Sequence, residues 1–250
     1  MQITFDNTSL TTTPFLIKSV DHDSAGPRDI NLFNLARQRG AVLVNSEYRP
    51  KVVRLTGTIT GATQAVLEAN IDTLKELFSR QGKNLDIDYS GSTRRYIATN
   101  TALQISRDYF HLSYAPFSAE FIVPNGTGID PTLSSTILTA ITAASNVNTI
   151  TMLGTAYPKP KITLTLTAVN TVSKIEFLAN GDKITITKTF ALNDVVVIDT
   201  DNMIVTVNGA VVDYTGIFPQ FGIGANVYDI EITRTSCTYN TQIDYYKNYI

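Results

Sequence analysis

The segment at residues 203–214, MIVTV-NG-AVVDY, constrains the fold of this chain more than any other. Two apolar runs flank Asn208-Gly209, and an Asn-Gly pair in that position predicts a two-residue hairpin turn of type I′. Further strands with period-two alternation are predicted at residues 162–166, 175–177, 184–186 and 227–233, and the short apolar run at residues 194–200 predicts a buried strand. Short strands separated by turns over about 100 residues indicate a β-sandwich.

The N-terminal region also predicts strands, but with a helix among them. Val53, Leu55 and Ile59 share one face of a strand at residues 51–59, because side chains on a strand alternate between its two faces. Further strands are predicted at residues 3–5, 15–20, 85–89, 93–99 (TRRYIAT), 102–106 (ALQIS) and 109–123, with a polar loop at residues 21–27. The fold class is therefore mainly β, with an α+β N-terminal part.

One amphipathic helix is predicted at about residues 63–81. Its apolar face consists of residues spaced four, three and four apart, which places them on one side of a helix: Leu67, Ile71, Leu74 and Phe78. Thr63 is the predicted N-cap, and Gly82 is predicted to take the left-handed conformation just past the end. Glu76 and Arg80 are spaced for an ion pair.

Breaker residues divide the chain into two predicted domains. The cluster PNGTGIDP begins at Pro124, and a long stretch of Thr, Ser and Ala follows it. We place the domains at residues 1–135 and 136–250. The stretch at residues 131–150 and the C-terminal TQIDYYKNYI have no predicted role.

The composition argues against several classes of partner. Charged residues make up 17 % of the chain and the net charge is −2, so it lacks the basic excess of nucleic-acid-binding proteins. No signal sequence or long apolar run is present, which predicts no secretion and no membrane insertion. A low charge density suits a surface that other subunits cover.

The sequence offers little material for catalysis or metal binding. It has two histidines and one cysteine, Cys237, and no phosphate-binding or zinc motif; we expect no catalytic residue, no cofactor and no metal, and a buried Cys237. Asp21-His22-Asp23 is interpreted as a solvated loop rather than a catalytic or metal-binding group. Asp199 and Asp201 are interpreted as turn residues rather than calcium ligands.

Six residues are candidates for an interface: Arg54, Arg94, Arg95, Phe218, Pro219 and Phe221. The arginines either bind an anionic partner or protect a strand edge that faces solvent or another subunit. The apolar loop around Phe218 and Phe221 either anchors an interface or fills the end of its own sandwich, and the second alternative is favoured because aromatic side chains are usually buried.

A series of motifs in the second region resembles the distal tail protein (Dit) family of long-tailed phages. The series is GTAYPKPKITLTL, NGDKITITKTF, LNDVVVIDTDNMIVTVNG and VDYTGIFPQFGIGAN, in this order. In the first region, RLTGTITG, a helix with LKELF and a strand with RRYIAT resemble the family's belt domain. The resemblance therefore covers most of the chain.

The resemblance implies a structural role. Belt domains of the family form a hexameric ring, single or double, that joins the tail-tube protein to the tail-tip hub. The C-terminal domain is similar to galectin-like or carbohydrate-module sandwiches and serves as a docking platform for receptor-binding proteins. The implied location is the virion tail tip, after assembly in the host cytoplasm.

Two other functions stay open. The chain is alternatively a carbohydrate-binding adhesion module that contacts the host surface; it has no Trp to stack on sugars, but its 12 Tyr could substitute. A hydrolase would need a cluster of Asp or His in a cleft, and the sequence does not suggest one.

Overall fold

A computed structural model describes residues 1–24, 27–34, 41–107, 112–170, 172–234 and 236–250. The contacts divide the chain into two compact units, residues 1–131 and 132–249. The elements of the first unit are β1 (Gln2–Phe5), β2 (Thr8–Ser9), β3 (Phe15–Asp21), β4 (Arg28–Asn34), β5 (Ala41–Tyr48), β6 (Lys51–Thr60), α1 (Gln64–Ser79), β7 (Lys83–Tyr89), β8 (Ser92–Ile105) and β9 (Tyr114–Val123). β10 (Gly128–Ile141) starts in the first unit and ends in the second.

The second unit consists of strands in its described residues, as the sequence predicts. They are β11 (Ser145–Met152), β12 (Lys161–Asn170), β13 (Val172–Ala179), β14 (Asp182–Phe190), β15 (Val195–Asp199), β16 (Ile204–Val207), β17 (Ala210–Val211), β18 (Thr215–Gly216), β19 (Gly224–Thr233) and β20 (Ser236–Tyr249).

Antiparallel pairing in the first unit runs in the order β2-β1-β7-β8-β9-β6-β3. β8 pairs with β7 along residues 92–98 and with β9 along residues 99–105. The prediction of two strands there, TRRYIAT and ALQIS, is wrong: both belong to β8, with a register shift between Asn100 and Ala102. A bulge lets one strand bend and continue.

Helix α1 forms where its apolar spacing predicts it. Leu67, Ile71 and Leu74 are buried, and the ring centroid of Phe78 lies 5.0 Å from that of Phe121 on β9. These residues belong to a single core that also includes the inward faces of β1, β6, β7 and β9. Hydrophobic burial of this face, rather than helix propensity, holds the helix on the sheet.

The two ends of α1 differ in how well they were predicted. The Thr63 hydroxyl accepts a hydrogen bond from the Val66 N–H at 3.3 Å, as expected for an N-cap, and Arg80 pairs with Glu76 at 3.3 Å. At the C-terminus the capping residue is Arg80, in an extended conformation. Gly82 does have a positive φ, +60°, but it lies one residue beyond the C′ position predicted for it.

Two antiparallel sheets enclose the core of the second unit. One has the order β17-β16-β15-β12-β20-β10 and the other β11-β19-β13-β14-β18. Asn208 and Gly209 have φ values of 52° and 80°, the two positive values that a type I′ turn requires. On β19, Tyr228 and Ile230 are buried while Val227 is exposed, which confirms the predicted alternation.

Four stretches with no prediction, or a partly wrong one, form strands. Residues 131–150 contribute to β10 and β11, and TQIDYYKNYI contributes most of its length to β20. The strand predicted from residue 109 begins only at Tyr114, and residues 109–111 lie outside the described part of the chain. β4 and β5, in a region with no prediction, form a separate two-stranded sheet.

Candidate assembly interface

Arg54 lies at the centre of β6 and points away from the core, because its neighbours Val53 and Leu55 point inward. Its Nε donates to Glu120 Oε1 on β9 at 2.8 Å, and this bond raises the pKa of Arg54. β6 pairs with β3 on one side and β9 on the other. The interpretation of Arg54 as an edge residue is therefore wrong.

Arg94 and Arg95 lie on β8, which is also an interior strand. Arg95 donates from Nε and Nη2 to both carboxylate oxygens of Asp86, each at 2.8 Å, so an edge-protecting role is wrong here too. Arg54 pairs with Glu120 on β9, and Glu120 pairs with Ala102 on β8. Ala102 is seven residues from Arg95, or about 23 Å along β8 at 3.3 Å per residue. The three arginines do not form one patch.

The aromatic loop of the second unit packs into its own core. Phe221 is 2 % exposed and its ring centroid lies 6.3 Å from that of Phe177. Pro219 is buried, and Phe218 is half-buried with its ring centroid 5.1 Å from Tyr214. This geometry is the second of the two alternatives for the loop, filling the end of its own sandwich.

The buried side chain of Asn226 binds the backbone of this loop. This residue was not identified from the sequence. Its side chain is buried; Oδ1 accepts from the Gly222 N–H at 2.7 Å, and Nδ2 donates to the Gly222 and Gly224 carbonyls, both at 2.9 Å. Asn180 Nδ2 donates to the same Oδ1 at 2.8 Å and to the Gln220 carbonyl at 2.9 Å. The sequence signal that could have identified Asn226 is its position as the final residue of the FPQFGIGAN motif.

The hairpin of β4 and β5 exposes apolar side chains that no prediction included. Ile30, Leu32 and Phe33 are 57 %, 62 % and 59 % exposed. Arg49 at the base of the hairpin pairs with Asp29, and this contact lowers the pKa of Asp29. A two-stranded sheet is at best marginally stable in water, so this surface fits a position where another chain covers it.

His22 is buried, and the interpretation of residues 21–23 as a solvated loop is wrong for it. The residue is 5 % exposed, with ring nitrogens 3.0 Å from Tyr96 Oη and 3.1 Å from Tyr89 Oη. Burial lowers the pKa of His22 and raises the pKa of Tyr96 to about 12. Asp21 and Asp23 on either side are exposed, and Asp23 Oδ1 lies 3.4 Å from Nε2 of the ring.

Lys51 is a buried basic residue next to this cluster. It is 3 % exposed, with Nζ 5.5 Å from the centroid of the Tyr96 ring and no hydrogen-bond acceptor among the described residues. Burial lowers the pKa of Lys51, and Asp23 and Asp21 partly counteract this. The cluster is a packed structural element, because Tyr hydroxyls occupy both ring nitrogens of His22.

The described residues contain no group of three or more His, Cys, Asp or Glu that could hold a metal ion. Asp199 Oδ1 accepts from the N–H groups of Asp201 and Asn202, both at 3.0 Å, which confirms the turn interpretation. Cys237 is buried, and burial raises its pKa. His111 lies outside the described part of the chain.

None of the helices in the described ranges is long and apolar enough to cross a membrane.

Comparisons with known proteins extend these observations. The model of the family SPP1_Dit, described as siphovirus-type tail component, C-terminal domain, matches residues 153–249. No curated protein matches the chain. Chains in structures of the phage p2 baseplate in its activated conformation, with Sr and with Ca, have TM-scores of 0.46 and 0.47 at 11 % identity, covering 97 % of this chain and 96 % of theirs.

The Dit protein (gp 19.1) of SPP1 gives a closer structural match. Its crystal structure, described as a paradigm of the hub adsorption apparatus in phages that infect Gram-positive bacteria, has a TM-score of 0.76 at 15 % identity. The match covers 100 % of this chain and 99 % of that one, so the two share a fold along their whole length. Residues 153–249 thus match the siphovirus-type tail component family, and the whole chain has the fold of SPP1 Dit.

Proposed function

We propose that the chain is a structural subunit of a phage tail tip that closes into a hexameric ring between the tail tube and the hub. In this proposal residues 1–135 are the belt domain that forms the ring. Residues 136–250 are a galectin-like sandwich that offers a docking platform to receptor-binding or other tip proteins at the virion tail tip. The match of residues 153–249 to the tail component family and the fold shared with SPP1 Dit support the tail role.

The exposed apolar strand β4 carries the ring proposal. Ile30, Leu32 and Phe33 leave a large apolar surface in water, and covering each side chain contributes about 1.5–3 kcal/mol. In a head-to-tail ring the same surface of every subunit meets a different surface of the next, and closure leaves none uncovered. A second copy of this chain is therefore the partner that the proposal assigns to β4.

The role proposed is structural rather than catalytic. The buried histidine of the described chain has both ring nitrogens within hydrogen-bond distance of tyrosine hydroxyls, so neither is available to take a proton from a substrate. The candidate arginines are paired with carboxylates or separated from each other. Fixed ion pairs of this kind suit an assembly surface better than a reaction site.

Light scattering over a range of concentrations tests the ring. We expect a mass near six times the 27.4 kDa of one chain, or twice that for a double ring. Leu32→Asp should reduce the mass to that of smaller species, since a charge on the apolar strand opposes burial. The matched control is Leu192→Asp, which changes an equally exposed leucine in the second unit and should leave the ring intact.

Circular dichroism of both variants would verify that they fold. Wild-type chain that never exceeds a dimer at any concentration, or an equal loss of mass in the two variants, would contradict the assignment of β4 to the ring.

Saccharide binding is a second candidate, supported by exposed tyrosines. Tyr157 is 73 % exposed, and the Asn248 Nδ2 donates to its carbonyl at 2.9 Å. Tyr246, also exposed, lies on the same face of β20 as Asn248. Tyr rings presented in this way can stack on sugars. The test is a glycan panel with wild-type chain and Tyr157→Ala; no saturable binding by the wild type would remove this candidate.

A further inference from the structure

The segment at residues 132–152 forms one side of the second unit and carries no Lys, Arg, Asp or Glu. It contains most of β10 and all of β11, which lie at the ends of the two sheets of this unit. Charged side chains, prolines, bulges and short strands are the usual protection of a sheet edge. An edge without them is open to pairing with another strand.

In the described part of the chain, β11 is an edge strand that lacks these protections. It pairs with β19 without a register shift over eight residues, from Ser145 opposite Glu231 to Met152 opposite Gly224. The edge strands β2, β17 and β18 have two residues each. β3 has a register shift and carries Lys18 and Asp21.

The hydrogen-bond pattern shows which backbone groups of β11 are available. Ile232 N–H donates to the Ala144 carbonyl at 2.8 Å, and bonded pairs alternate along an antiparallel ladder. Even-numbered residues of β11 therefore bond to β19, and odd-numbered residues direct their backbone groups away from it. The Thr151 carbonyl already accepts from Tyr245 Oη at 3.2 Å, which leaves the free edge centred on Val147 and Thr149.

The side chains at this edge are uncharged and face outward. Val147 is 64 % exposed, and it borders a groove of about 320 Å³ with Leu178 and Val227. The one carboxylate in the groove, Asp229, is engaged within the chain: its two oxygens accept from the Asn146 N–H and the Ser145 hydroxyl, both at 2.8 Å. The β11 edge therefore has no free charge that would favour a charged partner.

We propose that β11 pairs with β11 of a second copy of this chain, antiparallel about a two-fold axis at Asn148. In this register Val147 of each copy lies opposite Thr149 of the other, and the four N–H and four C=O groups of these residues form four hydrogen bonds. Opposite residues are β-branched, which favours cross-strand packing. A two-fold contact brings like residues together, so the absence of charge from β11 is what such a contact requires.

This pairing is distinct from the proposed ring, which uses β4 and head-to-tail contacts. A two-fold contact joins chains in pairs whether or not rings form. The experiment therefore uses the full chain carrying Leu32→Asp, in which the proposed ring contact is absent. Sedimentation equilibrium should give a concentration-dependent dimer, at twice the 27.4 kDa of one chain.

Two valines on the same exposed face provide the variant and its control. Val147→Lys should weaken the dimer by about tenfold or more, because a lysine on the edge of each copy introduces like-charge repulsion. Val227→Lys adds the same charge on the neighbouring strand β19, at a residue 54 % exposed, and should leave the dimer constant within about twofold. A monomer at every concentration, or an equal effect of the two lysines, would overturn the proposal.

A register test uses disulfides. Val147→Cys combined with Thr149→Cys should give a covalent dimer on oxidation, since opposite residues of a bonded antiparallel pair lie about 5.5 Å apart at Cα, within disulfide range. Val227→Cys alone should stay monomeric under the same conditions, because it lies one strand away from the axis. Failure of the double-cysteine variant to cross-link while the chain sediments as a dimer would show a different contact and overturn the assignment of β11.

Discussion

The loop at residues 218–226 and the hairpin of β4 and β5 both carry apolar side chains outside regular core strands, but they have opposite environments. Phe221 lies in the core of the second unit, while Phe33 is exposed on β4. The difference comes from polar groups: Asn226 bonds the loop's backbone and turns its aromatics inward. Apolar content alone thus does not distinguish a loop that packs into its own core from one that forms an interface. A buried polar side chain that binds the backbone of the loop does distinguish them.

Truncating one phenylalanine in each region should give the largest difference. Phe221→Ala should destabilise the second unit by about 3–5 kcal/mol, since it removes a fully buried ring. Phe33→Ala should change the stability of the Leu32→Asp chain by less than about 0.5 kcal/mol, as for surface substitutions. Urea unfolding followed by near-ultraviolet circular dichroism measures both. Similar losses of stability in the two variants would contradict the distinction between a core-filling loop and an exposed interface.

Removing the Asn226 side chain tests whether its hydrogen bonds keep the loop at residues 218–226 buried. Asn226→Ala should cost about 2–3 kcal/mol, because the buried Gly222 N–H and the two glycine carbonyls lose their partner. Hydrogen exchange should rise at residues 219–224 before it rises in β13. As control, Asn202→Ala removes an exposed amide that bonds Asp199 and should cost less than about 0.5 kcal/mol. Unchanged exchange in Asn226→Ala would mean that aromatic packing holds the loop by itself.

The two units should also differ in their response to pH. Both histidines lie before residue 132, and burial lowers the pKa of His22. Around the ring, Lys51 and Arg94 also lower this pKa, while Asp23 and Asp21 raise it. The unfolded chain therefore binds a proton at a pH where the folded chain does not, so the contribution of neutral His22 is complete above about pH 6.5 and falls as the pH decreases.

The loss should be at most about 1.4 kcal/mol per pH unit below pH 6.5, and it should appear in the first unit. Urea unfolding at pH 7.0 and 5.5 measures it, with hydrogen exchange on β8 and β13 to separate the units. His22→Asn should abolish the change in this window. An equal decrease in the second unit would place its cause in groups other than His22.

Sequence reasoning succeeded where side chains alternate between core and water. Strands β12 to β16 and β19, the face of α1 and the Asn208-Gly209 turn all follow from local patterns. β10 and β11 were missed because an edge strand with an uncharged outer face shows weak alternation. β4 was missed because its apolar residues face solvent, where no core pattern applies. Asn226 and His22 gain their roles from distant partners, which spacing along the chain does not reveal.

Replacing Lys51 should give the smallest change in stability, and it should stabilise the chain whereas the other substitutions destabilise it. Its Nζ is buried beside Tyr96 without an acceptor among the described residues, and burial lowers its pKa. Lys51→Met keeps the aliphatic chain and removes the buried charge, so we expect the first unit to gain about 1 kcal/mol in urea unfolding at pH 7. Met also cannot titrate, so this gain should shrink as the pH rises through the lowered pKa of folded Lys51 and vanish above the ordinary lysine pKa of about 10.4. Lys75→Met, at an exposed residue of α1 that pairs with Asp72, is the control and should leave stability nearly unchanged. A loss of stability in Lys51→Met would mean that the ammonium contributes through the face of Tyr96, and the buried cluster of the first unit would then depend on its charge.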